Sequence, residues 1–260
     1  IMEIKKEDNI FTTVTYKKFD ITFISVYHNK RDVSINKIKK IINESDMKKN
    51  CYLLEMDKNK TKLEVRKYNS DQTTKSIIDE IKKREKSLNL PLNTCVKGWD
   101  IRQSILTQKY QNYLYHGNFY NDTIRIFEYY INKLKPRKIT NNTLSDKLRD
   151  YINFKYKQVI EHNRQRIQHQ INLLNPIISQ YSNIHDVKIK DIIKKDNSSR
   201  EKFNMIWSLI QGMYTEYSDL YILEMIFKKD INTNYYVIVG DYHYRDLLNL
   251  IKQMIQHNII

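Results

Sequence analysis

Three short runs rich in β-branched and aromatic residues are each followed by a stretch with helical spacing. That alternation constrains the chain more than any other feature. The runs are 19–27 (Phe-Asp-Ile-Thr-Phe-Ile-Ser-Val-Tyr), 51–56 (Cys-Tyr-Leu-Leu-Glu-Met) and 94–101 (Thr-Cys-Val-Lys-Gly-Trp-Asp-Ile). Helical stripes follow over 33–42, from Asp71 or Thr73 to about Leu88, where Pro91 breaks the pattern, and from Arg102 to about Tyr115. The order β-α-β-α-β-α argues for an α/β fold with a mainly parallel central sheet flanked by helices. Thr12 to Tyr16 alternates and can pair with the first strand as a hairpin, and Leu63 to Arg66 reads as a further short strand after a turn at 57–60.

The middle of the chain lacks that alternation. Asp122 to Leu134 reads as a helix. A capping-box-like start at Thr143-Leu144-Ser145-Asp146 opens a long helix to about Leu174, ended by Pro176. A short helix is expected over 184–193. Residues 198–227 carry Phe203, Ile206, Trp207, Ile210, Met213, Tyr214, Tyr217, Leu220 and Tyr221 at three-and-four spacing, a stripe that reads as core packing. A last strand, 235–239, and a last helix from Arg245 to about Gln256 close the chain. The expectation is one α/β domain over 1–260, with a helical insertion from about 121 to 230 that covers one side of the sheet.

Composition shapes how the charge is read. Alanine is absent and only four glycines and three prolines occur in 260 residues, while Lys, Asn, Ile and Tyr abound. That bias follows AT-rich codons and suggests a source such as a large DNA virus, a protist or a low-GC bacterium. The net charge of +15 is spread along the chain without a long basic block, so general surface solvation is the first reading and a dedicated polyanion site the alternative. Cys51 and Cys95 alone do not make a secreted disulfide framework and read as small buried core residues. No run is long enough for a membrane span, and the charged start lacks a signal-peptide core. A reducing, intracellular location is the default expectation.

In a parallel sheet the strand ends share one rim, where such folds keep their ligands. The first strand leads into His28, the second ends near Glu55, and the third ends at Asp100 with Arg102 beyond it. The last runs into Gly240-Asp241-Tyr242-His243. Gly240 lets the backbone approach closely or take a positive φ there. Imidazole and carboxylate suit Zn, Mn or Co, and a bound ion would lower the pKa of its water to about 7. Arg102 could hold a developing oxyanion through its planar fork. Each of these residues also has an ordinary structural reading: a strand-end histidine bonded to backbone, an ion pair, or a helix cap. His116, His162, His169, His185 and His257 read as surface residues. Residues 57–61 lack the glycine and glutamate spacing of a calcium loop. No Gly-x-Ser-x-Gly elbow and no phosphate-binding glycine loop occur, which removes the main support for serine-hydrolase, NTPase and dinucleotide-binding readings.

The ordered set of strand-x-x-His, strand-Glu, strand-Asp-x-Arg, helical insertion and strand-Gly-x-x-His resembles the TraB/PrgY and TIKI-type family, distantly similar to ChaN and erythromycin-esterase-like proteins. The resemblance covers the two ends of the chain. It implies a metal-dependent hydrolase site with His28, Glu55 and His243 as ligands to a divalent ion (Mn, Co or Zn) and Arg102 as the electrophilic stabiliser. Asp100 and Asp241 are candidates for orienting those ligands or activating water. Serine stands at position 25 where the family's first motif has glycine, so the resemblance fits either an active hydrolase, with a peptide as one candidate substrate, or an inactive homologue of one.

A non-enzymatic reading stands beside it. The long middle helix carries Lys147, Arg149, Lys155, Lys157, Arg164 and Arg166 among Tyr151, Phe154 and Tyr156. Cations that meet phosphates and aromatics that stack on bases suit a nucleic-acid-associated or virion structural protein, with nucleic acid or other virion proteins as partners.

Overall fold

The computed structural model describes residues 2–6, 10–26, 33–57, 72–90, 95–100, 116–140, 144–184, 186–228 and 233–260. The strand at 63–66, the helix at 102–115 and the turns around 58–61 lie outside these residues, as do His28, Arg102 and His185. The chain divides into two compact units. One comprises residues 1–101, 141–148 and 221–260, and the other residues 102–140 and 149–220.

The first unit is built on a six-stranded mixed sheet. Its strands are β1 (Met2–Lys6), β2 (Phe11–Tyr16), β3 (Phe19–Val26), β4 (Asn50–Asp57), β5 (Cys95–Asp100) and β6 (Asn234–Gly240). Their spatial order is β1-β2-β3-β6-β4-β5. β1, β2 and β3 form an antiparallel meander. β3, β6, β4 and β5 run parallel. The last strand in the sequence therefore lies inside the sheet. Val237 and Val239 are fully buried and Ile238 nearly so, as expected of a strand covered on both faces.

Helices α1 (Val33–Glu44) and α2 (Gln72–Ser87) pack on one face. Ile38, Ile42, Ile77, Ile78 and Ile81 meet Phe11, Ile24, Tyr52, Leu54, Met56 and Ile238 there. The alternation of strand side chains sends Phe23, Ser25, Leu53, Glu55 and Val237 to the opposite face. Helix α7 (Asp241–Gln256) covers that face, buries Tyr244, Leu247, Ile251 and Met254, and is tied to β2 by a 2.7 Å hydrogen bond between the Tyr244 and Thr12 hydroxyls. α7 begins four residues earlier than its apolar spacing suggests, because Asp241 is a favourable first-turn residue at a helix N-terminus.

Cys51 and Cys95 are direct partners across β4 and β5 and are joined in a disulfide, with Cα atoms 4.5 Å apart. This corrects the reading of two free core cysteines: parallel pairing superimposes residues 44 positions apart. β5 is an edge strand paired to β4, so the bond fastens the edge of the sheet.

Tyr52 and Tyr236 stack on neighbouring strands, with ring centroids 5.2 Å apart. Burial, then the neighbouring Tyr52 phenol, pushes Tyr236 up to about 12, and burial also raises Tyr52. A phenol raised in the folded state contributes stability that is complete below the unfolded value of about 10. That contribution is lost as pH rises towards about 12. Urea midpoints are therefore expected to fall more steeply above pH 10 for the native chain than for Tyr236→Phe. Equal slopes would show that this tyrosine is not coupled to folding.

The second unit is helical: α3 (Phe119–Lys133), most of α4 (Asp146–Ser179), α5 (Ile189–Lys195) and most of α6 (Asn197–Phe227). Asn118 caps α3 by accepting from the Asn121 N–H, while its own N–H donates to Asp122 at 2.6 Å. Phe127 packs on Phe203 and Tyr130 on Trp207. Tyr214 donates to the Tyr130 carbonyl at 2.8 Å, and burial raises its pKa strongly. The aromatic stripe of α6 is thus core packing.

The Ser145 hydroxyl accepts from the Leu148 N–H at the start of α4. α4 runs through Pro176 to Ser179, past the expected stop. A proline this close to the C-terminus removes only one helical donor, and the Ser179 hydroxyl donates to the Asn175 carbonyl in the same turn. α5 starts at Ile189 instead of 184, because Lys188 is held extended in a bridge with Asn118.

Candidate functional site at the carboxyl rim of the sheet

β3, β6, β4 and β5 are parallel, so their carboxyl ends lie along one rim of the first unit. Four features named from the sequence fall there. Glu55 lies near the carboxyl end of β4, Asp100 ends β5, and Asp241 and His243 open α7 behind β6. His28 follows β3 and Arg102 follows β5 in the chain, and both lie outside the described residues.

His243 is 5% exposed, unlike a solvated surface histidine. α7 begins immediately after Gly240, so His243 sits in its first turn and is carried onto the sheet. Its ring meets the indole of Trp99 edge-on, with centroids 4.7 Å apart and planes at 69°. Trp99 is fully buried, and its Nε1–H donates to the Ile238 carbonyl at 3.4 Å. The indole thus spans from edge strand β5 to inner strand β6 and supports the imidazole. Sequence reasoning passed over Trp99. The available signal was its place one residue before Asp100: alternation turns the two side chains to opposite faces, so one of them had to meet α7.

Glu55 lies on the α7 face of β4, half-buried, with Oε2 shut away from solvent. Ser25 lies on the same face of β3, directly beside Val239 of β6. It is 0% exposed, and its hydroxyl has no hydrogen-bond partner among the described residues. A buried hydroxyl left in that state is costly. Asp100 is buried, at 3% exposed.

Asp241 is half-buried and forms a 2.6 Å ion pair with Arg245 one turn along α7. Asp246 faces the same neighbourhood. Burial raises its carboxyl pKa, against the opposing pull of His243 and a hydrogen bond from Tyr242. Gly240 has φ −64° and ψ 160°, extended backbone that any residue adopts. Of the two roles read for Gly240 from the sequence, a positive φ is not used.

The other candidates separate from this rim. His116, His162, His169 and His257 are exposed, as expected of surface residues. On α4, Tyr156 is fully buried, and Arg164 donates to the Leu134 carbonyl at 2.8 Å and to the Ile131 carbonyl at 3.4 Å. Those two residues are structural. Phe154, by contrast, is 60% exposed.

The donor set in hand is one imidazole and one carboxylate on a common face, borderline-to-hard ligands of the kind that suit Zn or Mn. Among the described residues no group of three or more His, Cys, Asp or Glu side chains is placed to hold a metal. Two donors alone are short of the usual ligand count, and a complete set would need a residue such as His28. No described helix is long and apolar enough to cross a membrane. Comparisons with family models, with curated proteins and with solved structures found no match.

Proposed function

We propose that the first unit is a metal-dependent hydrolase of the TraB/TIKI type, with a peptide as the substrate class. The observation that carries this reading is the buried His243 imidazole, lodged against Trp99 at the rim that also receives Glu55. In this reading His28, Glu55 and His243 would hold a divalent ion, which would supply a water acidic enough to attack at neutral pH. Asp241, in the first turn of α7, would orient the groups around it. Trp99 keeps the His243 ring in one orientation and excludes water from its edge.

The test uses the full chain, stripped of metal and resupplied with Mn, Co or Zn, on a mixed peptide library. Cleavage should require added metal and fall at least about a hundredfold in His243→Ala, since losing a ligand costs more than disturbing its support. Cleavage at the native rate in His243→Ala, or without metal, would remove this reading.

A further inference from the structure

We infer that the second unit binds single-stranded nucleic acid along a basic strap at Lys133–Lys138. The inference rests on different residues from the hydrolase reading, and the two stand or fall separately. The strap reads Lys-Leu-Lys-Pro-Arg-Lys, four cations in six positions, and no Asp or Glu occurs between Glu128 and Asp146.

The strap is not a loose tail. Leu134, 3% exposed, and Ile139, 6% exposed, bury its two ends, while Lys133, Lys135 and Lys138 stay exposed between and beside them. Its backbone is pinned along α4. Arg164 donates to the Leu134 carbonyl at 2.8 Å, and Asn153 both accepts from the Ile139 N–H at 2.7 Å and donates to its carbonyl at 3.2 Å. Tyr217 of α6 adds a 3.3 Å bond to the Lys135 carbonyl.

The lengths agree. From Asn153 to Arg164 a helix rises roughly 16 Å, and from Leu134 to Ile139 an extended chain also spans roughly 16 Å. The strap therefore lies taut and antiparallel along one face of α4. Pro136 stiffens it further. Cations held on a fixed backbone lose less entropy on meeting phosphates than cations on a floppy one.

The neighbour of the anchor selects the kind of polyanion. Phe154 follows Asn153 directly and exposes 60% of its surface. A phenyl ring beside a phosphate-binding ridge gives a base a face to stack on, and only unpaired bases can take it. A duplex keeps its bases paired and stacked away from the ring, whereas a lipid surface takes up cations and ring together, so both are arms of the test.

Fluorescence anisotropy of a labelled oligo(dT) on the full chain tests this between about 50 and 200 mM salt. Lys133→Gln, Lys135→Gln and Lys138→Gln together should weaken binding about tenfold or more at the lower salt and flatten the log–log salt slope by about 2, near 0.7 per lost phosphate contact. Phe154→Ala should weaken binding about tenfold and leave the slope unchanged. Lys194→Gln, Lys195→Gln and Arg200→Gln remove equal charge from exposed positions elsewhere in the unit and should change affinity less than about twofold. Four results would overturn the proposal. They are no binding at low salt, equal loss in the control triple, no response to Phe154→Ala, and binding to phosphatidylserine vesicles or duplex as tight as to oligo(dT). Circular dichroism of each variant confirms that the fold is kept.

Discussion

Trp99→Ala is expected to lower the unfolding free energy of the sheet-bearing unit by about 3–5 kcal/mol, the range for removing a fully buried tryptophan. Trp99 is 0% exposed, its Nε1–H reaches the Ile238 carbonyl, and its ring carries His243. Deleting the indole opens a cavity between β5, β6 and α7 and leaves a buried carbonyl without that donor. The loss should appear as a lower urea midpoint followed by far-UV circular dichroism. It should be accompanied by faster modification of His243 by diethyl pyrocarbonate, since the ring loses its cover. Trp99→Phe should fall between the two. A change in stability below about 1 kcal/mol would mean that Trp99 does not bridge the strands.

The second large effect is expected from the disulfide. Closing a loop of 44 residues restricts the unfolded chain by about 4 kcal/mol in the chain-entropy view, and measured values run at about 2–4 kcal/mol. Cys51→Ser with Cys95→Ser, or a reductant, should lower the midpoint accordingly. β5 pairs only with β4 among the described strands, so its amide hydrogens should exchange faster first, and Trp99 and Asp100 lie on that strand. An unchanged midpoint in reductant, or two thiols titrating in the native chain, would show the bond to be absent in solution. Such bonds persist in oxidising surroundings and are rare in reducing ones. The oxidation state of Cys51 and Cys95 in the source cell therefore tests the reducing location expected from the low cysteine count.

Much of the fold was legible because local physics decides it. β-branched runs at 19–26 and 51–56 and the isoleucine stripes of α1 and α2 carry their own periodicities, and the hairpin of β2 and β3 needs only a short turn. Strand order is not local. β6 enters between β3 and β4, and its unbroken Tyr-Tyr-Val-Ile-Val run held the clue, since a strand apolar on both faces belongs inside a sheet. The disulfide was hidden for the same reason: the register that opposes Cys51 to Cys95 is fixed by the whole sheet.

The candidate site was legible as a list of strand ends and less so as chemistry. Parallel pairing does bring Glu55, Asp100, Asp241 and His243 to one rim. Whether a side chain turns to the α7 face depends on alternation and on where α7 begins. His243 was expected at a strand's end, ahead of a helix starting at Arg245, and sits in that helix's first turn, buried against a tryptophan. Asp241 was expected near the chemistry and spends its carboxylate on Arg245. Ser25, read as a departure from a glycine motif, turns out to be a buried hydroxyl on the same face.

The claim that this rim is a metal centre is tested most directly by the divalent metal content of the purified chain beside His243→Ala and Glu55→Gln. Mass spectrometry of the metal should find a stoichiometric ion in the native protein after extensive dialysis and a large loss in both variants, with their circular dichroism unchanged. Native protein that retains no more Mn, Co or Zn than the variants would contradict the account.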